Sequence, residues 1–131
     1  MSSSPEGRFT LGFKAHGHLL EATVDGRLEG TADVIALFLA LADEIRRTGA
    51  DRLLVIDHSA GVVPDEAGLR QLVLAMGGQG LKETRIAYVD ARGTAVGRME
   101  LGEIIGREHG YSCRVFGDEA QARLWLDYGE R

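Results

Sequence analysis

Phe9, Leu11 and Phe13 alternate with Thr10, Gly12 and Lys14, the period of a strand with one buried face. Gly17 marks a turn. Residues 19–24 (LLEATV) form the next strand, and the short connection before it predicts an antiparallel hairpin. Asp25-Gly26 is expected to break the chain. The apolar spacing then changes to that of a helix, which starts at Gly30 or Thr31 and ends near Thr48-Gly49. Arg46 and Arg47 occupy its last turn, where the helix dipole favours cations. On a helical projection Val34, Leu37, Phe38, Leu41 and Ile45 share the core face, opposite Asp33, Ala36, Ala40, Asp43 and Arg47. Ile35 and Leu39 widen the apolar stripe beyond one sheet contact. Two readings follow: a helix wedged beside its neighbour, or a weak homodimer formed through Ile35 and Leu39.

Residues 53–56 (LLVI) are an unbroken aliphatic run, the mark of a central strand covered on both faces. Leu69, Leu72, Val73 and Met76 form the inward face of a second helix that Gly77-Gly78 terminates. Phe38, Leu41, Leu69 and Val73 are expected in one core. Residues 85–89 (RIAYV) make a strand, residues 94–109 a helix of poor periodicity, and residues 112–116 (SCRVF) the last strand. Asp118 caps a final helix expected to turn Ala120, Leu124, Trp125 and Tyr128 toward the sheet. The order ββαβαβαβα predicts an α/β fold, a single-domain mixed β-sheet with helices packed on it through right-handed crossovers. Residues 1–7 (MSSSPEG) are small and polar and are expected to fray, leaving residues 8–131 as a single domain.

A chain of 131 residues suits one core. Its 44% hydrophobic and 27% charged residues are ordinary for a soluble globular domain. The net charge of -5, with Lys and Arg scattered, supplies no electrostatic footprint for nucleic acid. Its longest apolar run, residues 34–42, is nine residues, about half of a membrane span. The lone Cys113 and an amino terminus without an apolar segment fit a reducing cytoplasm.

Candidate chemistry is sparse. Gly77-Gly78-Gln79-Gly80 follows a helix and precedes a strand, the reverse of a dinucleotide fingerprint, and reads as a cap and turn. The loop at residues 91–97 (ARGTAVG) lacks the Gly-Lys-Ser/Thr ending of a phosphate loop. His16 and His18 have no third ligand placed near them, and His109 suits a helix carboxyl end. No cofactor and no metal are expected. Asp57-His58-Ser59 contains the three residue types of a hydrolytic triad, but neighbours on an extended chain point to opposite faces and cannot form a relay. A hydrolytic enzyme using Asp57 and His58 is therefore the least supported reading. Asp57 ends a central strand, where open α/β sheets place ligands, so Asp57, His58 and Ser59 remain a candidate ligand site.

As a unit, residues 55–69 (VIDHSAGVVPDEAGL) resemble the signature of the STAS family, shared by anti-sigma-factor antagonists and sulfate transporters. In that family a strand ending in Asp leads to Asp-Ser-Ser-Gly-Leu at the start of the second helix. Asp57, Ser59, Asp65, Gly68 and Leu69 match at the family's spacing. Gly26-Arg27-Leu28-Glu29 with Thr31-Ala32, and Ala95-Val96-Gly97-Arg98, are similar to the segments before the first and third helices. Val115-Phe116-Gly117-Asp118-Glu119-Ala120 with Trp125-Leu126 is similar to the ending of the SpoIIAA-like branch, whose architecture is shared with lipid-transfer CRAL-TRIO domains. The phosphoacceptor serine that the family modifies is Glu66 here, with Ala67 after it, so that position is not phosphorylatable.

The resemblance implies a non-enzymatic protein-interaction or regulatory module with an unknown protein partner, docked through Asp65, Glu66, Arg70 and Leu74. Pro64 and Asp65 suit the start of a helix, and carboxylates there gain about 0.3–1 kcal/mol each from the dipole. Capping is thus preferred over phosphate imitation for Glu66. The alternative is a carrier or sensor of a small apolar, lipid-like ligand, for which a chain of this length leaves little spare volume.

Overall fold

In a computed structural model the described residues are 2–3, 9–93 and 96–128. The expected hairpin consists of β2 (Phe9–His16) and β3 (Leu19–Leu28), antiparallel, with Phe9 opposite Gly26 and His16 opposite Leu19. Asp25-Gly26 does not end the second strand. Gly26, at φ 98°, stays paired with Phe9, and β5 (Ala60–Gly61) then pairs with Arg27 and Leu28, so the ladder continues through a residue whose φ only glycine adopts freely. Ser2–Ser3, from the segment expected to fray, form β1 antiparallel to Leu11 and Thr10; Met1 and residues 4–8 lie outside the described residues.

The rest of the sheet is parallel: β3, β4 (Arg52–Asp57), β6 (Arg85–Asp90) and β7 (Ser112–Phe116), in the order β1-β2-β3-β4-β6-β7. The crossovers are α1 (Thr31–Thr48), α2 (Glu66–Ala75) and α3 (Val96–Glu108), and α4 (Glu119–Tyr128) closes the described chain. Thr94 and Ala95, expected to open α3, lie outside the described residues. Each crossover steps the same way across the sheet, and right-handed steps in one direction leave their helices on one face. Residues of α1, α2 and α3 accordingly share a core with Leu20, Leu53, Val55, Ile86 and Tyr88. Alternate residues Leu54, Ile56, Ala87 and Val89 face the other way, onto α4. The aliphatic run of β4 is thus covered on both faces, as its continuity predicts.

The local signals are met where they bear on these positions. Gly49 closes α1 in the left-handed conformation (φ 73°) and donates its N–H to Ile45 O. Asp65 caps α2 by accepting the Gly68 N–H at 2.9 Å. Three placements differ from expectation. Asp33 is buried rather than solvent-facing, because its carboxylate bends back to accept the Glu29 N–H at 2.8 Å. Phe38 is only half-buried and stacks on Tyr88, ring centroids 5.9 Å apart. On α4 the buried residues are Ala122 and Leu126, with Trp125 beside them, whereas Ala120, Leu124 and Tyr128 are exposed. The ridge two residues on is the one that meets the sheet.

Candidate functional site

β4 and β6 both end in aspartate. Asp57 and Asp90 are register partners on adjacent strands, each 7% exposed, on the face covered by α1, α2 and α3. Asp57 accepts two hydrogen bonds, from the Ser59 N–H at 2.7 Å to Oδ1 and from the Tyr88 hydroxyl to Oδ2. Burial, then the Asp57 charge and hydrogen bond, then Asp90, hold the Tyr88 hydroxyl well above the usual tyrosine range. Tyr88 therefore keeps its proton and donates a hydrogen bond to Asp57, with its ring stacked on Phe38.

Beneath this cluster the helices do not close onto the sheet. A cavity of about 300 Å³ lies between them, walled by Phe38, Leu69, Leu72, Val73, Ile86, Tyr88, Met99 and Val115. It follows β6 from Asp57, Ser59 and Asp90 at the carboxyl ends of the strands to Leu81 and Tyr111 near their amino ends. The volume exceeds what the chain length alone suggested. Its cause lies in α3, whose inward positions include Gly102 and Gly106. A methyl at Gly102 would meet Leu69 Cδ2 at 3.3 Å, and one at Gly106 would meet Cys113 Sγ at 3.0 Å. The glycines let α3 approach at those two points while supplying no side chain to fill the space between. They also explain the poor periodicity of this helix in the sequence.

At the far end, Tyr111 is buried and its hydroxyl has no hydrogen-bond partner among the described residues. Lys82 Nζ lies 5.5 Å from the ring centroid. Burial, then neighbouring Cys113, raise the Tyr111 hydroxyl above its usual range. Burial, then Glu103, push the Cys113 thiol up to about 11, so it is an inert thiol and not a thiolate nucleophile at neutral pH. Glu103 also accepts the Val115 N–H at 2.8 Å, covering a backbone donor on the edge strand β7.

Of the residues singled out in the sequence, Asp57 and Ser59 line the cavity, whereas His58 is exposed and does not. The four docking residues lie outside it, at the start of α2 and on its outer side. Asp65 is used by the cap; Glu66 pairs with Arg70 at 3.1 Å, and Arg70 reaches Glu108 at 3.8 Å. Leu74 is 68% exposed. Gly68 of the STAS-like motif has a packing reason, since a Cβ there would lie 2.4 Å from Thr31 Oγ1 and 2.9 Å from Pro64 Cβ. Phe38, Tyr88, Asp90 and Tyr111 were not read as site residues. A usable signal existed: two central strands, LLVID and IAYVD, both finish in aspartate.

Among the described residues no cluster of three or more His, Cys, Asp or Glu could hold a metal ion, and no helix is long and apolar enough to cross a membrane. Comparison of the chain with protein-family models and with curated proteins finds no match.

Proposed function

We propose that the protein is a non-enzymatic binding module that holds a small apolar ligand between its helices and sheet, as a carrier or sensor. The supporting observation is the cavity of about 300 Å³, apolar along its walls with a few polar groups at its ends, the usual make-up of a ligand pocket. An apolar cavity of about 150 Å³ already accepts benzene. The Asp57 carboxylate is held by Ser59 and Tyr88 with exposed His58 outside the cavity, an arrangement that suits positioning rather than hydrolysis. Native mass spectrometry of the protein as purified, together with titration of a neutral fluorescent naphthylamine dye, tests the proposal. The expected results are a bound small molecule and saturable fluorescence enhancement that a Val73→Phe variant, still folded, loses. A dye signal that is unsaturable, or unchanged by Val73→Phe, would remove the cavity from the account.

A second reading keeps the STAS-like role, constitutive docking of a protein through Asp65, Glu66, Arg70 and Leu74. It is favoured by the 68% exposure of Leu74, a large apolar side chain on the outer side of α2. Pull-down of a partner whose affinity drops with a folded Glu66→Arg, Leu74→Asp variant supports it; unchanged affinity excludes this face.

A further inference from the structure

We infer that residues 58–64, which join β4 to α2, form a strap that opens to admit the ligand, and that Gly61 is the point at which it is fastened; the inference rests on the binding reading above. Residues 59–64 all border the cavity. Their other side is in water: Gly61 is exposed and Val62 is 65% exposed. This part of the wall is therefore a single length of chain. The remaining walls belong mainly to the sheet and to α1, α2 and α3, whose backbones are bonded within those elements. A way in through them would break several of these bonds at once, whereas a loop held at few points opens readily.

The strap is fixed at its ends and hung in the middle. At its start the His58 N–H is donated to Val24 O at 2.8 Å, the Ser59 N–H to Asp57 Oδ1 at 2.7 Å, and the Arg92 Nε–H to His58 O at 3.1 Å. At its end Pro64 is buried and Asp65 caps α2. Between these anchors Ala60 and Gly61 pair with Arg27 and Leu28, and the Val62 N–H is donated to Leu28 O at 3.2 Å. Gly61 decides whether that fastening holds. Its φ is 124°, where side chains are rarely accommodated, and a Cβ there would lie 1.9 Å from Leu28 O and 2.8 Å from Leu28 C, backbone atoms that cannot turn aside. A side chain at this position must push the strap off β3, while the anchors at Asp57 and Asp65 remain. The pairing with Leu28 is thus a seam that only glycine keeps shut, placed where the cavity wall is a single length of chain.

The test uses the full chain and the neutral naphthylamine dye, mixed rapidly and followed by fluorescence. Gly61→Ala is expected to raise the association and dissociation rates together by about threefold or more, with Kd changed by less than about twofold, since releasing the strap alters the barrier more than the cavity. The converse variant, Arg27→Cys with Ala60→Cys, joins register partners on adjacent strands, which lie close enough for a disulfide. Oxidised, it should exchange dye about tenfold or more slowly than after reduction. Saturable binding whose rates are the same in the oxidised and reduced forms would overturn the strap and leave the binding module standing, as would a folded Gly61→Ala variant that exchanges dye no faster than wild type. Absence of saturable binding to wild type would overturn the binding module, and the strap with it.

Discussion

Leu53 and Leu54 are neighbours on β4 and both are fully buried, yet they face different interiors. Behind Leu54 the sheet is solid. Ala87 and Ala122, small residues on opposite sides, bring β6 and α4 together, and Val89 and Leu126 fill in beside them. The Arg85 guanidinium lies 4.3 Å from the Trp125 ring centroid and donates from Nη1 to Leu126 O. Behind Leu53 there are three helices instead of one, and there the cavity of about 300 Å³ remains. One helix packs better than three because nothing beneath it is glycine, whereas α3 meets its neighbours through Gly102 and Gly106. The face under the three helices thus keeps an open cavity beside two buried aspartates, which the face under α4 does not.

The comparison breaks most readily at paired truncations. Leu54→Ala should cost about 4 kcal/mol, since tight surroundings cannot collapse onto the gap, and Leu72→Ala, bordering space that already exists, about 2 kcal/mol. Urea unfolding of both variants checks this, and equal losses would mean that the two faces are equally filled. Additions should go the other way. Ala87→Leu forces a larger side chain against α4 and should cost about 2 kcal/mol, whereas Val73→Phe, directed into the cavity, should change stability by less than about 1 kcal/mol. Phe38→Ala should fall near 2 kcal/mol, below the roughly 3–5 kcal/mol of a fully buried phenylalanine, because the ring is half-buried.

Most of the fold was legible because its determinants are local. The alternation of Phe9, Leu11 and Phe13, the aliphatic run of β4, Gly49 after α1 and Asp65 before α2 each announce an element within a few residues. Apart from the two-residue β5, which pairs with β3, the strands from β3 onward follow sequence order, so right-handed crossovers leave few alternatives. The cavity was not legible. It depends on how α3 sits against Leu69 and Cys113, and the glycines that govern this weaken the periodicity by which helices are recognised. The phase of α4 was legible only in part: Trp125 packs against the sheet as expected, but Ala120, Leu124 and Tyr128 form as plausible a stripe beside it as Ala122 and Leu126, which are the buried pair. Asp57 was identified from its place at a strand end, but Asp90 and Tyr88 joined it only through the register of β4 with β6.

The smallest expected effect concerns how far the solid face extends. α4 lies over β4, β6 and β7, and its tie to β3 is polar: Arg123 forks onto Glu21 through two hydrogen bonds of 3.1 Å. The Arg123 hydrogen bond holds the Glu21 carboxyl below its ordinary value of 4.5, against the opposing effect of burial. A carboxyl depressed in the folded state contributes stability that is present above its unfolded value and lost as pH falls through its folded one. The Arg123 side chain is 39% exposed and also shared with Glu119, so solvent screening limits the gain to about 0.5–1 kcal/mol. Glu21→Gln should therefore lower stability by that amount at pH 7 and by progressively less at an acid pH that titrates the depressed carboxyl of the folded state, where wild type loses the same charge. Urea unfolding at both pH values provides the check. A loss that persists unchanged in acid would assign Glu21 a packing role, and α4 would then be joined to the hairpin by shape rather than by charge.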